Sequence, residues 1–289
     1  MRFAWAGGLA CCAVYCGSCL ALDVEPGGYT AGPPTTTALS LAWHHVERDA
    51  AYRNGQRLPG TPHLDTDAAR LVLMHYRQLG DLTVAPTLIA NCSRSEAGGT
   101  AAFLGNVQGC ADPVLGAIFW AINQPAQQRY LGISPYVVVP VGAYDAARPL
   151  NPGEHRWKLG VNAGYITAPG KNLLLDVIGD VLWHGDNDQF GPARLTQQQA
   201  VIYNAQLHVR YLLAPGARLS FSYLHDWGGE TTVAGIAAHD RKNQGRYRVG
   251  GALALNTSQQ LQLEVGADTR VANGYKESRR SILRYVARF

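Results

Sequence analysis

Apolar and polar residues alternate with a period of two through most of the second half of the chain. Within residues 201–212, Tyr203 and Leu207 fall on one face, whereas Gln206 and Arg210 fall on the other. A period of two is the signature of a β-strand with two different environments on its faces. This pattern predicts amphipathic strands rather than helices.

The last nine residues repeat the pattern at the end of the chain. Leu283, Tyr285 and Phe289 lie on one face, and Arg284 and Arg288 lie on the other. An apolar face opposite charged residues suits a strand between lipid and a wet lumen, as in the closing strand of a bacterial outer-membrane β-barrel. The alternative is an edge strand of a soluble sandwich.

The whole chain divides into about twelve such strands. We predict strands over residues 36–47, 69–78, 82–90, 113–122, 130–141, 156–167, 173–183, 201–212, 218–224, 246–255, 260–269 and 281–289. Pro135 removes a ladder donor inside the fifth strand, so we expect a bulge or a strand end there.

The connections alternate between long and short. Long polar connections centre near Gly55, Gly99, Arg148, Asp188, Ala238 and Gly274, and short ones centre near Gly80, Pro125, Gly170, Gly216 and Ser258. Outer-membrane barrels have long external loops and short periplasmic turns, whereas a soluble sandwich has no reason for this alternation. The sequence therefore predicts an all-β fold, a transmembrane antiparallel β-barrel of the outer-membrane type with about 12 strands, over residues 36–289.

Aromatic residues gather near the predicted strand ends, as the girdles at the two membrane interfaces require. They are Trp43, Trp120, Trp157, Trp183, Tyr211, Trp227 and Tyr285.

The N-terminus has the pattern of a secretory signal. Arg2 precedes an uncharged, mostly apolar stretch, and Cys19-Leu20-Ala21 is a small-x-small cleavage site. We predict a cleaved signal peptide over residues 1–21, followed by a periplasmic or lumenal segment over residues 22–35. An uncleaved anchor helix is the alternative, because about 20 uncharged residues can span a bilayer.

Two cysteines remain after the predicted cleavage, Cys92 and Cys110. They flank a polar, Gly-rich stretch with the character of a loop, and exported proteins form disulfides. We expect one disulfide between them and no metal site.

Composition agrees with a surface that is largely out of water. Charged residues make up 16% of the chain, against roughly 25% in a typical soluble protein. The net charge of +4 is small and forms no basic stripe, so nucleic acid is not an expected partner.

Polar residues on the inward faces come from several strands and carry both signs. The candidate lumen-lining residues are Asp176, Asp180, Gln206, His208, Arg210, Arg246, Arg248, Gln262, Glu264, Asp268 and Arg284, with Arg288 at the chain end. They either line a narrow water path or pair with one another and plug the lumen, since buried charges need partners.

An ordered series of short motifs crosses the middle of the chain. It consists of Gly109-Cys110-Ala111-Asp112-Pro113, Arg129-Tyr130-Leu131-Gly132, Pro135-Tyr136, Pro140-Val141-Gly142-Ala143-Tyr144-Asp145, Leu150-Asn151-Pro152-Gly153-Glu154-His155-Arg156-Trp157 and Trp183-His184-Gly185-Asp186-Asn187-Asp188. The series resembles the family of outer-membrane proteins linked to meta-pathway degradation of phenol and related aromatics. His155 and His184 depart from the residues that the family more often has.

The resemblance implies an outer-membrane channel for passive uptake of small hydrophobic or aromatic compounds, without a cofactor. Its partners would be outer-membrane lipid, those compounds, and the barrel-assembly machinery acting on the strand that ends at Phe289. The family-motif loop residues are Tyr144, Asp145, Asn151, Arg156, Trp157, Asp186 and Asn187. Asp and Asn at Asp145 and Asp186–Asp188 either cap turns or bind a divalent cation.

Two other classes of function remain to be weighed. An enzyme is not expected, because Ser40 and His44 lie about 13 Å apart on one strand face, Ser222 and His225 are merely near each other in sequence, and no Gly-x-Ser-x-Gly elbow is present. A structural or adhesive barrel with a plugged lumen, whose external loops bind a partner, is the alternative to a channel.

Overall fold

The computed structural model describes residues 22–289, so the predicted signal peptide, residues 1–21, lies outside the described residues. Twelve long strands form the wall. They are β1 (Thr37–Arg53), β2 (Pro62–His75), β3 (Leu82–Gly99), β4 (Val114–Gln124), β5 (Arg129–Val138), β6 (Lys158–Gly170), β7 (Leu173–His184), β8 (Ile202–Ala214), β9 (Ala217–Gly228), β10 (Lys242–Ala254), β11 (Gln259–Val271) and β12 (Gly274–Arg288).

Each wall strand pairs antiparallel with its neighbours in sequence, and β12 pairs with β1 to close the ring. Closure satisfies the backbone hydrogen bonds of both edge strands. The predicted antiparallel barrel and its strand count are confirmed.

Shorter elements lie at the ends of the barrel. The short strands are Gln56–Arg57, Arg77–Leu79, Val107–Cys110, Asn187–Phe190, Leu195–Gln199, Thr231–Val233 and Ile236–Ala237, and the 3₁₀ turns are Ala102–Leu104 and Pro125–Gln127. The last four of these strands form a separate sheet. No helix among residues 22–289 has the length and hydrophobicity needed to cross a membrane.

The outer face of the wall is apolar. Trp43, Leu159, Val177, Phe221 and Leu263 are each between 46% and 61% exposed, and their neighbours in sequence point inward. Lipid covers such a face in an outer-membrane barrel.

The predicted long loop near Gly274 is wrong. β11 and β12 are joined by a tight turn at residues 272–273, and β12 begins at Gly274. The polar residues before Ser281 belong to the part of the strand that carries Glu277 and Arg280 on its buried face. This part of β12 is polar on both faces, so its sequence pattern resembles that of a loop.

The first three strands are much longer than predicted, whereas β5 (Arg129–Val138) is shorter than the predicted range 130–141. Pro135 neither ends nor bulges its strand. The pairs Gly116–Tyr136 and Phe119–Ile133 keep one register on either side of Pro135, and Pro135 itself pairs with Val161. The bulge in this hairpin falls instead between Trp120 and Ile122. Pro135 has no backbone N–H to donate to the ladder, but the register of the two strands is unchanged.

Candidate functional site

The inner face of the barrel carries the polar residues that alternation assigned to it. None of the following is more than 8% exposed: Asp176, Asp180, Gln206, His208, Arg210, Arg246, Arg248, Gln262, Glu264, Asp268 and Arg284. Arg288 differs, because it is exposed at the end of β12.

Oppositely charged residues on adjacent strands pair across the inner face. Asp176 Oδ1 of β7 lies 2.7 Å from Arg210 Nη2 of β8. Glu264 Oε1 of β11 lies 3.0 Å from Arg284 Nη1 of β12. Asp226 likewise pairs with Arg246. These contacts compensate buried charges that would otherwise be costly.

The segment before β1, residues 22–36, lies inside the barrel against β7 and β8. Gln206 holds Leu22 and Val24 from one side chain: its Nε2 donates to the Leu22 carbonyl at 2.8 Å, and its Oε1 accepts the Val24 N–H at 3.2 Å. The Leu22 nitrogen lies 3.4 Å from Asp180 Oδ2. Side chains of the barrel wall therefore bind the backbone of this segment through hydrogen bonds.

Two carboxylates, one from the wall and one from the segment, hold the first part of the same segment. Gly27 donates its N–H to Asp176 Oδ2 at 2.7 Å. Asp23 of the segment pairs with Arg248 of β10. The N-terminal segment is thus tied to two separate strands of the wall, β7 and β10.

The ring of Tyr29 packs against two glycines of the wall. Gly132 of β5 and Gly164 of β6 are cross-strand partners. A Cβ would lie 2.5 Å from the Tyr29 ring at Gly132 and 2.1 Å from it at Gly164. The Tyr29 hydroxyl donates to Asn162 Oδ1 at 2.6 Å. Only glycine at both positions allows this close approach.

Trp120 is not a girdle residue, contrary to the sequence prediction. It is 2% exposed and donates its Nε1–H to the Tyr29 carbonyl at 2.9 Å inside the barrel. β4 is apolar on both faces, so its sequence pattern did not tell inside from outside. Trp43, Trp157 and Trp183 are about half exposed, as the girdle prediction requires.

Two cavities remain beside the N-terminal segment. The larger, of ≈180 Å³, lies towards the long-loop end and is lined by parts of β1 to β7 and of β12. The smaller, of ≈50 Å³, lies between the segment and β2–β5. The two share Leu22, Asp23, Arg70 and Ile89 in their linings.

The long connection between β5 and β6 folds back over the mouth of the barrel. Asp112 accepts the N–H groups of Gly142 and Glu154, each at 2.8 Å. A Cβ on Gly142 would lie 2.6 Å from the Asp112 nitrogen. Three of the motifs that carried the family resemblance therefore meet at one carboxylate.

The remaining motif residues also make structural contacts. Asp145 and Asn187 accept N–H groups two residues ahead, from Ala147 and Gln189, each at 2.9 Å. These are turn-capping contacts. Asn151 Oδ1 accepts the Asp145 N–H at 2.8 Å, and Asp186 accepts from Gln198 at 3.2 Å.

Tyr144 joins two of these loops. Its hydroxyl donates to the Gln189 carbonyl at 2.9 Å and accepts from Asn187 Nδ2 at 3.0 Å, and its ring stacks on His155. Burial raises the pKa of Tyr144, so its hydroxyl stays protonated as a donor.

Arg156 and Trp157 are neighbours with opposite exposure. Arg156 is buried, with its Nη2 2.5 Å from Glu154 Oε2 and 2.5 Å from Gln199 Oε1. Trp157 is 58% exposed on the outer surface.

The predicted disulfide joins Cys92 to Cys110. The cysteines do not lie in a loop as expected: Cys92 is inside β3, and Cys110 ends the short strand Val107–Cys110 directly opposite it. The bond therefore cross-links two paired strands near the mouth.

A serine and a histidine do meet, but not in the predicted combinations. Ser222 Oγ lies 2.8 Å from His208 Nδ1, and both are fully buried. No acidic residue in the described part of the chain holds the other ring nitrogen, His208 Nε2. Neither residue lines either of the two cavities described above.

Sequence reasoning missed several inward residues. Asn162 and Ser222 occupy inward alternation positions of β6 and β9, so stricter use of the period would have found them. His44, Arg70 and Arg280 line the larger cavity. Arg70 lies in the predicted strand 69–78, whose facing the sequence pattern does not determine, and Arg280 lies in the stretch assigned to the long loop near Gly274.

Solved structures share this fold. A crystal structure of an outer membrane channel from Pseudomonas putida F1 is 36% identical, with a TM-score of 0.89, over 92% of this chain and 100% of that one. The translocator domain of the autotransporter NalP from Neisseria meningitidis is 12% identical with a TM-score of 0.52, over 91% of each chain. The monoaromatic hydrocarbon channel TodX, as a deltaS2 mutant, is 11% identical with a TM-score of 0.50, over 91% of each chain. The latter two show the fold alone.

None of the curated proteins matches the chain. Residues 48–285 match one family over most of the barrel. With the fold and the similar channel, this match places the protein in the bacterial outer membrane as a β-barrel of the channel kind. The chain belongs to the family described as "Putative MetA-pathway of phenol degradation".

Proposed function

We propose that this barrel admits small hydrophobic compounds, aromatic ones among them, by passive diffusion along the passage between its N-terminal segment and β2–β5. The observation that carries the proposal is the apolar lining of the smaller cavity. Val24 faces Val72, Met74, Ile89 and Ile118 there. The two cavities are adjacent, since they share four lining residues. In the proposed route, a compound passes from the larger cavity near the mouth into the smaller one.

The pairing of the lumen charges supports the same substrate class. Asp176, Glu264 and Asp226 each have an arginine partner, and the N-terminal segment occupies the centre. Little fixed charge is left to line a water path for hydrophilic solutes. The 36% identical P. putida protein is itself described as an outer membrane channel, which supports passage through this fold.

The test is flux into liposomes that contain the refolded mature chain, beginning at Leu22. Entry of a small alkylbenzene or phenol is compared with entry of a sugar of similar size, against empty liposomes. We expect faster entry of the aromatic compound alone. Val72→Phe, which fills the apolar passage, should lower this entry, because interiors have little room for added volume.

Val249→Phe is the matched control, since Val249 is 48% exposed on the outer face. It should leave entry unchanged. Equal entry of sugar and aromatic compound would indicate a general pore. No entry of either would support the alternative, a plugged barrel whose loops bind a partner.

A further inference from the structure

The larger cavity contains more cationic than anionic side chains. Its cationic lining residues are Arg48, Arg70, Lys158 and Arg280, and its carboxylates are Asp23, Asp112 and Glu154. Whether the cavity can take a charged ligand depends on which of these groups already have partners.

The three carboxylates are all engaged. Asp23 pairs with Arg248, and Glu154 pairs with Lys158. Asp112 accepts two backbone N–H groups from the folded-back connection. The cavity therefore offers no free carboxylate to a cationic ligand.

Two of the arginines are engaged as well, by one carboxylate. Glu277 Oε1 lies 3.3 Å from Arg48 Nη2 and 2.5 Å from Arg280 Nη2. With Lys158 held by Glu154, only Arg70 remains among the cations of this cavity.

Arg70 has no hydrogen bond and no ion pair within 4.0 Å to any residue between 22 and 289, and its buried Nε has no partner. Asp23 and Glu25 act on it electrostatically from a greater distance. A guanidinium presents a planar fork that matches a carboxylate in two parallel hydrogen bonds. Arg70 is thus a donor without an acceptor.

His44 lies beside Arg70 on the same inner surface. Arg70 is the cross-strand partner of Ala42, and His44 is the partner of Ala68, so the two are diagonal neighbours on β1 and β2. His44 is 9% exposed, and its Nε2 has no partner in the part of the chain that the structure describes. The His44 imidazole is therefore a second polar group beside the unpaired Arg70 guanidinium.

Arg70 also stands at the entrance to the apolar passage. It lines the smaller cavity together with the apolar residues Val72, Met74, Ile89 and Ile118 and the carboxylates Asp23 and Glu25. A ligand whose acid group meets Arg70 can place its apolar body among these side chains without leaving the route.

From this arrangement we infer that Arg70, with His44 beside it, binds the carboxylate of small aromatic or short aliphatic monocarboxylic acids during passage. Arg70 supplies the bidentate hydrogen bonds and His44 a further polar contact. The inference rests on the proposed passage and adds a substrate class to it.

The experiment compares benzoate with benzyl alcohol, which have similar shapes and differ in charge. Influx into liposomes is measured over a range of concentrations at neutral pH. We expect saturable benzoate influx in the unaltered protein. Arg70→Gln should raise the half-saturating benzoate concentration roughly tenfold or more, as loss of a charged hydrogen bond predicts, and should leave benzyl alcohol influx unchanged.

Arg288→Gln is the matched control, because it removes the same charge at an exposed rim position, and it should leave both influxes unchanged. His44→Leu is a second variant and should weaken benzoate saturation less than Arg70→Gln. Retained benzyl alcohol influx shows that each variant is folded and inserted.

Three outcomes would overturn the inference. If Arg70→Gln lowers both influxes alike, Arg70 merely shapes the passage. If benzyl alcohol enters the unaltered protein but benzoate does not, the acid site is wrong while the proposed function stands. If neither compound enters, the proposed function itself fails, and the acid site fails with it.

Discussion

At the scale of single residues, the lumen is held together by side chains that meet across strands. Glu277 of β12 binds Arg48 of β1, and Asp176 of β7 binds Arg210 of β8. Asp180 is different. It accepts from Tyr136 at 2.9 Å and Asn162 at 3.0 Å, yet no Lys, Arg or His nitrogen of residues 22–289 lies within 4.0 Å of it.

The nearest nitrogen that could carry a compensating charge is that of Leu22, at 3.4 Å. Cleavage after Ala21, as the sequence predicts, would make this nitrogen an ammonium group. We predict that Asp180→Asn speeds acylation of the Leu22 amine by a small reagent about tenfold, because a charge-assisted hydrogen bond is lost. Mass spectrometry of the mature protein at neutral pH gives the rate.

Glu264→Gln is the control for Asp180→Asn. It removes a lumen carboxylate that pairs with Arg284 and makes no contact with the N-terminal segment. Equal labelling rates in the two variants would contradict the ion pair between Leu22 and Asp180.

At the scale of elements, the N-terminal segment and the wall fit by shape as well as by hydrogen bonds. The pair Gly132–Gly164 leaves room for the ring of Tyr29, and Trp120 holds the Tyr29 carbonyl. The segment therefore has one defined position inside the barrel. That position also sets the width of the passage along β2–β5.

We predict that Gly164→Ala displaces the segment, because the new Cβ would lie 2.1 Å from the Tyr29 ring. Ion conductance of single channels in planar bilayers should rise several-fold. Gly179→Ala on the neighbouring strand is the control, since its Cβ would meet no heavy atom within 4 Å. Unchanged conductance in Gly164→Ala would mean that the segment does not limit the passage.

At the scale of the whole molecule, the barrel closes where its two ends meet. Thr37 and Phe289 exchange backbone hydrogen bonds of 2.7 Å and 3.0 Å. The Phe289 side chain is 73% exposed and contributes little packing to this seam.

We therefore predict that Phe289→Asp lowers the amount of assembled barrel in the outer membrane several-fold, while refolding of the purified chain in detergent is unchanged. The reason is that the assembly machinery would recognise the side chain of Phe289, whereas the contact between β1 and β12 at Phe289 is made by backbone hydrogen bonds. Heat-modifiable mobility on gels measures both. Phe103→Asp, at a 62% exposed position in a 3₁₀ turn, is the control and should assemble normally.

The strand pattern, the strand number and the inward set from Asp176 to Arg284 follow from the sequence alone. The physical reason is that lipid outside and polar surroundings inside impose a strict period of two on each strand. Where that contrast fails, prediction failed too: β4 is apolar on both faces, so Trp120 was assigned outward, and the start of β12 is polar on both faces, so it was assigned to a loop. Only the tertiary structure decided which inward charges meet and that the N-terminal segment lies among them. It also left Arg70 without a partner, because such contacts join residues far apart in sequence and depend on strand register and closure, which no local pattern records.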